Sequence, residues 1–391
     1  MQHFSELPPL SLYIHFPWCV KKCPYCDFNS HAKDAALPET DYINSLLADL
    51  DHELPLIWGR KLHSIFMGGG TPSLFSAEAM EQLMSGLRAR LNFKPDTEIT
   101  MEANPGTFEQ HKFKSFNDIG INRLSIGVQS FNNKHLQQLG RIHDAKESIK
   151  AIEVAHKAGF EKINIDLMYG LPSQTLGEAK GDLQMAMAMN PSHISHYQLT
   201  IEPNTYFHVH PPFVPDDERI ADIEESCREM FAANGYDRYE ISAFAKSGQQ
   251  CQHNMNYWQF GDYIGIGAGA HGKLTDVAKQ QIERRWKVKN PRDYLAASST
   301  EQQTSGSQLL DQQTSAFEFF LNAFRLIEGF DSNLFALRTG QPISSVDKQL
   351  QLAESKGLIE WGLDTIRPTQ TGLQFLNNLT ELFLPPEKTN K

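Results

Sequence analysis

The sequence predicts an α/β fold: a partial (β/α)6 barrel joined to a small C-terminal winged-helix-like α+β domain. Three observations predict it. Six short apolar stretches separated by helix-length sequence run from Ser11 to Thr200, which argues for parallel strands joined by right-handed crossovers. Each strand ends in polar or glycine residues, at the end where parallel barrels gather functional groups. Beyond residue 310, clustered aromatics and two short extended runs form the pattern of a second, smaller core.

The first strand, Ser11 to Phe16, alternates small or polar with apolar residues and leads directly into a cysteine-rich loop. Tyr42, Ile43, Leu46, Leu47 and Leu50 then recur at helical spacing before a second strand, Leu62 to Met67, completing one βαβ unit. Met80, Leu83, Met84, Leu87 and Leu91 line the next helix, and Thr97 to Met101 is the third strand. Thr107-x-x-Gln110 reads as a capping box ahead of the fourth strand, Ile121 to Val128. Asp144-x-x-Glu147 opens a helix closed by Gly159 before the strand Lys162 to Met168; Thr175-x-x-Glu178 opens another before His193 to Thr200.

A further amphipathic helix is expected from Asp216 or Asp217 to Asn234, stopped by Gly235, with Cys227 as a small buried apolar residue. The Ser/Thr/Gln-rich run Ser298 to Gln313 is the best linker candidate. After it come a helix bearing Phe317, Phe320, Leu321 and Phe324, the extended runs Leu358–Trp361 and Ile366–Thr369, and a last helix from Leu373 to Phe383. The expected organisation is a barrel over residues 1–210, an extension over 211–300 and the C-terminal domain over 310–391.

The chemistry centres on Cys19-Val20-Lys21-Lys22-Cys23-Pro24-Tyr25-Cys26. Three thiolates at C-x-x-x-C-x-x-C spacing can converge on one iron-sulfur cluster, leaving one iron without a protein ligand and open to a chelating molecule. The alternative is a zinc site with His31 or His15 as fourth ligand, although neither a second C-x-x-C pair nor a histidine pair accompanies the run.

Charge and cysteine usage narrow the class. Lys plus Arg total 36 against 47 Asp plus Glu, a net charge of -11, so nothing favours nonspecific nucleic-acid binding. The five cysteines comprise this cluster and the isolated Cys227 and Cys251, not a disulfide framework, which implies a reducing compartment. No signal-like N-terminus or membrane-length apolar run is evident, so a cytoplasmic protein without stable membrane insertion is expected.

The stretches Tyr13–Cys19 and Cys23–Ser30 resemble the opening of the coproporphyrinogen oxidase-like branch of the radical S-adenosylmethionine (SAM) superfamily. The resemblance implies a radical SAM barrel, a [4Fe-4S] cluster on Cys19, Cys23 and Cys26, and SAM chelating the open iron. It places Tyr25 against the adenine and Gly70, Thr71 and Pro72 along the methionyl end. Glu102 suits the ribose or ammonium, and Arg141 the SAM carboxylate. Gln129, Asp166 and Tyr13 match the remaining SAM-contacting positions.

A second motif, His253-Asn254-Met255-Asn256-Tyr257-Trp258, characterises the haem-chaperone members of that branch and implies haem held by His253. An imidazole is a standard axial ligand and the aromatics offer flat apolar surface. The residues by themselves favour a structural histidine beneath the glycine-rich run Gly261 to Gly272, and it is the resemblance that favours haem.

Three functions follow. One is a haem carrier with a [4Fe-4S] cluster and SAM, serving an acceptor protein and needing an electron donor. Another is an oxygen-independent coproporphyrinogen III oxidase, and the third is a zinc-stabilised α/β protein without radical chemistry. The oxidase pattern has a further cysteine where this chain has Phe28, and a longer segment before its first strand. Both differences favour the carrier.

Overall fold

The computed structural model describes residues 2–33, 36–106 and 110–385. Six strands follow one another in parallel: β1 (Leu10–Phe16), β2 (Lys61–Gly69), β3 (Asn92–Ala103), β4 (Arg123–Gln129), β5 (Lys162–Tyr169) and β6 (His193–Gln198). Each pairs with the next. One face of these strands is apolar and packs on the crossover helices: Leu12, Ile14, Ile65, Met67, Leu124 and Ile126, which share that face, are all fully buried.

The crossover helices begin and end where their capping residues dictate. Asp144 and Thr175 each form a complete capping box, starting the helices Ala145–Lys157 and Leu176–Ala188, and Gly159 takes the left-handed conformation that ends the first. The expected capping box at Thr107 lies outside the described residues. Asp216 caps the Asp217–Ala233 helix, in which Cys227 is buried.

The sheet continues past the six strands on both sides. β7 (Asp237–Glu240) and β8 (Ala243–Ala245) extend it antiparallel beyond β6; β9 (Asp262–Ile266), β10 (His271–Asp276), β11 (Gln281–Lys287) and β12 (Thr304–Leu310) extend it beyond β1. The full order is β12-β11-β10-β9-β1-β2-β3-β4-β5-β6-β8-β7. β9 is a seventh parallel strand, formed within the glycine-rich run. A Cβ at Gly265 would collide with the His271 carbonyl oxygen where β9 and β10 meet, so the glycine that hides the strand pattern is what admits the pairing.

The Ser298–Gln313 run is not a linker. Thr304–Leu310 pairs residue by residue with β11 as an edge strand, and its polar side chains reflect exposure at that edge.

The C-terminal region packs Phe319, Phe320, Phe324, Phe330, Phe335, Leu350, Ile359, Ile366 and Phe383 into a separate core. Its antiparallel sheet contains the two expected strands, β14 (Ile359–Trp361) and β15 (Thr365–Pro368), plus the two-residue β13 (Phe330–Asp331). The expected last helix divides at Phe375 into Gln370–Gln374 and Leu376–Glu381. Phe4, Phe260, Ile282 and Leu310 join this core, tying the domain to the barrel extension. Among the described residues no helix is long and apolar enough to cross a membrane.

Candidate functional site

The cysteine loop leaves β1 at its C-terminal end. Trp18–Cys19 pairs with His31–Ala32, closing the loop on itself, and the Gly70 and Thr71 N–H groups donate to the Phe16 and Trp18 carbonyls at 2.6 and 2.8 Å. Gly69 has φ +108°, and any Cβ there would collide with the His15 ring, so only glycine lets β2 turn at this point.

A cavity of about 400 Å3 opens behind the loop, and Cys19, Cys23 and Cys26 all line it. Its walls are the C-terminal ends of successive strands. Glu102 comes from β3, with Asn104 just beyond; β4 supplies Ser125, Gly127 and Gln129, β5 Asp166, and β6 Ser195 and Tyr197. These positions are two residues apart along each strand, as one sheet face requires.

Hydrogen bonds fix the polar groups. Arg141 donates to Asn104 Oδ1 at 2.6 Å and to the Gly127 carbonyl at 2.7 Å, and its other terminal nitrogen lies 3.6 Å from Cys23 Sγ. Asn104 donates to Thr71 Oγ1 at 2.8 Å, and Thr71 Oγ1 stands 3.6 Å from Cys19 Sγ. Tyr197 donates to Gln129 Oε1 at 2.7 Å, and Gln129 holds φ +70° beside a register shift in β4. Such backbone strain persists where surrounding structure imposes it.

Electrostatically the pocket sets two carboxylates against one guanidinium. Burial, reinforced by Asp166, pushes the Glu102 carboxyl up to about 8; the Gly69 N–H, 3.0 Å from its Oε2, opposes this. Asp166 is also raised by burial, although Asn164 donates to it at 2.7 Å and Ser125 at 3.2 Å. Burial likewise raises the Cys19 thiol, to about 11. A cationic ligand would therefore be drawn to the Glu102–Asp166 side.

Of the residues named from sequence, the cavity assembles Cys19, Cys23, Cys26, Tyr25, Gly70, Thr71, Glu102, Gln129, Arg141 and Asp166. It does not include Pro72, which is buried in the turn Pro72–Leu74. Tyr13 is also outside the cavity lining, stacked on Phe66. Asn104, Ser125, Ser195 and Tyr197 were not among the expected ligands. The signal for all four was present: Asn104 follows Glu102 by two residues, Ser125 precedes Gln129 by four, and Ser195 and Tyr197 alternate on β6.

The histidines proposed for zinc are engaged elsewhere. His15 Nε2 donates to the Asn29 carbonyl at 2.9 Å, so Nδ1 of the neutral ring accepts from the Tyr13 hydroxyl at 3.0 Å. His31 Nε2 pairs with Asn29 Oδ1 at 3.3 Å.

His253 is not brought to this cavity. The Gln252–Trp258 helix lies across the N-terminal ends of the strands, where the Gln252 N–H donates to Glu98 and Asn256 donates to Ser11 Oγ and to the Asp262 carbonyl. Ser11 and Ser64 hydroxyls stand 2.8 Å apart, and Ser64 Oγ is 3.1 Å from His253 Nδ1. A single direction of donation, Asn256 to Ser11 to Ser64 to His253, satisfies all four groups. Burial holds the imidazole neutral, with its pKa lowered to about 3, and the residue is 7% exposed, too little for a porphyrin to lie against. Cys251 beside it is buried too, its thiol pushed up to about 12.

Residues 13–186 match the Radical SAM superfamily and residues 310–375 the HemN C-terminal domain. The chain is 50% identical to the heme chaperone HemW of Escherichia coli over 97% of its own length and 99% of that protein's. It is 49% identical to the Haemophilus influenzae heme chaperone HemW, covering 98% and 100%, and 33% identical to the Bacillus subtilis one, covering 96% and 99%. Among solved structures, coproporphyrinogen III oxidase (HemN) from Escherichia coli superposes with a TM-score of 0.82 at 23% identity, over 96% of this chain and 90% of that one.

Proposed function

The chain belongs to the HemW family of haem chaperones within the radical SAM superfamily, and from that premise we propose that it binds haem and passes it to an acceptor protein. The observation that carries this reading is the convergence, in a chain similar to those chaperones along almost its whole length, of three loop thiols and five strand-end walls on one cavity.

The residues fit the family's cofactors, a [4Fe-4S] cluster and SAM. Three thiols line one cavity, and both nearby histidines are hydrogen-bonded elsewhere, so neither imidazole completes a zinc set. Arg141 Nε is buried without a hydrogen-bond partner, a donor available to an anionic group. In this reading Cys19, Cys23 and Cys26 hold the cluster; Tyr25, Gly70, Thr71, Glu102, Gln129, Arg141 and Asp166 receive SAM. Pro72 and Tyr13 act from behind, Pro72 by fixing the turn and Tyr13 by orienting His15.

When bound, the cluster supplies one electron and an open iron for SAM's amino and carboxylate groups, so an electron donor is required. Arg141 offsets negative charge at Cys23, Thr71 donates toward Cys19, and Glu102 with Asp166 offers anionic oxygens to the cationic ligand. We infer further that haem release is coupled to occupancy of this cavity.

Haem titration of the anaerobically reconstituted protein tests the carrier reading, with coproporphyrinogen III offered in parallel. Stoichiometric haem uptake with no consumption of coproporphyrinogen is expected. Consumption without haem uptake would replace the carrier with an oxidase.

A further inference from the structure

The haem reading leaves open where the porphyrin sits, because the His253 imidazole is closed off at the far end of the barrel. A different pair of histidines stands beside the cysteine loop. The short helix Tyr206–Val209 is anchored there: Thr205 caps it by accepting from the His208 N–H, and the Phe207 N–H donates to the Pro24 carbonyl at 3.0 Å. Phe207 is buried against Tyr25, with ring centres 6.4 Å apart. The same turn leaves Tyr206 61% and Val209 69% exposed, with His208 and His210 exposed beside them. The His210 ring stacks on Tyr206 at 4.4 Å, 20° from parallel, which holds the imidazole in a defined plane.

The cysteine loop, which this helix touches through Pro24 and Tyr25, carries further exposed groups. Val20, Phe28 and Ile142 line the cavity and remain 40%, 59% and 55% exposed, an unusual concentration of large apolar side chains for one rim. Lys21 and Lys22 are exposed on the same loop. The Lys21 ammonium lies beside Gly140, and Lys22 donates to the Phe28 carbonyl at 3.2 Å.

Iron protoporphyrin is a flat apolar macrocycle whose metal takes imidazole and whose edge bears two carboxylates. We propose, resting on the haem-carrier reading, that haem binds on this rim. The His208–His210 pair supplies the axial imidazole, Tyr206, Val209, Phe28 and Ile142 cover the ring, and Lys21 and Lys22 meet the propionates. Bound there, the porphyrin covers the mouth of the cysteine cavity, so cargo and cofactor sites touch. An exposed rim also suits a cargo that must be handed on, since the acceptor can reach it without barrel opening.

The test is haem titration of the full-length, cluster-reconstituted protein, followed by optical spectroscopy. The variants are His208→Ala/His210→Ala, Val209→Glu and His253→Ala, each checked for iron and sulfide content and for SAM binding. The double histidine variant is expected to bind haem at least ~10-fold more weakly with an altered Soret band, at unchanged cluster content. Val209→Glu weakens binding without changing the Soret band of the haem that does bind, and His253→Ala keeps wild-type affinity and spectrum. Wild-type affinity and spectrum in both rim variants would overturn this site while leaving the carrier reading intact. A wild-type protein that takes up no haem would overturn both.

Discussion

Glu102 is the residue whose chemistry most depends on what fills the cavity. Its carboxyl is raised to about 8 in the ligand-free protein because burial and Asp166 both disfavour the anion. The folded chain therefore holds a proton that the unfolded chain releases near the ordinary value. This contribution is complete below about pH 4.5, declines as pH rises, and is gone above about 8. Glu102→Gln is predicted to raise ligand-free stability at pH 8 by on the order of a few kcal/mol, measured by chemical denaturation at pH 5 and 8. SAM binding to the wild type should release a proton at pH 7 and tighten between pH 6 and 8; isothermal titration in two buffers of different ionisation enthalpy reads this directly. The Glu102→Gln variant should show neither effect. The candidacy of Glu102 was legible in the sequence because it ends a strand. Its protonation was not, because that depends first on burial within the folded barrel and then on Asp166 arriving from another strand.

At the scale of elements, the Gln252–Trp258 helix gains a role its motif did not announce. It closes the barrel floor through Asn256, Gln252 and the serine pair, while Trp258 lies beneath the Arg325 guanidinium at 4.2 Å, linking floor and C-terminal domain. Asn256→Ala leaves Ser11 Oγ and the Asp262 carbonyl without their donor and is predicted to cost about 1–3 kcal/mol in urea unfolding, with cluster loading unchanged. The family resemblance implied a ligand where the residue types alone favoured a structural histidine, and the placement agrees with the residue types: nothing in His-Asn-x-x-Tyr-Trp says which end of a barrel it reaches. The six parallel strands, by contrast, were readable from alternation and capping residues alone. β9 escaped notice because glycines interrupt its pattern, and β12 because an edge strand is polar enough to resemble a linker.

Across the whole molecule, one buried ionic cluster fastens the sheet extension to the barrel. Lys287 on β11 stands 2.6 Å from both Asp49 and Glu53 of the Glu39–Glu53 helix, all three being almost fully buried. Tyr294 donates to Asp49 at 2.7 Å, and Tyr42 donates to the His15 carbonyl, carrying the connection to β1 just before the cysteine loop. Lys287→Met leaves buried Asp49 without a cation and Glu53 with Arg285 alone, at 3.5 Å, and should destabilise the protein by about 3–5 kcal/mol, read as a lower denaturation midpoint. No sequence pattern pairs residues 49 and 287, since only the folded sheet brings them together. The domain core shows the same limit: Phe319 and Phe320 were recognisable as apolar, but not their contacts with Phe4 and Phe260 from outside the domain.

The claim that joins these scales is that the cysteine cavity controls the handling of haem. Transfer from the haem-loaded, anaerobically reconstituted protein to apomyoglobin, followed by its Soret band with and without SAM, tests it most directly. The wild type should transfer at a rate that changes with SAM, and Cys19→Ala should transfer at a different rate that SAM does not alter. Equal rates for the wild type and Cys19→Ala, indifferent to SAM, would contradict the account.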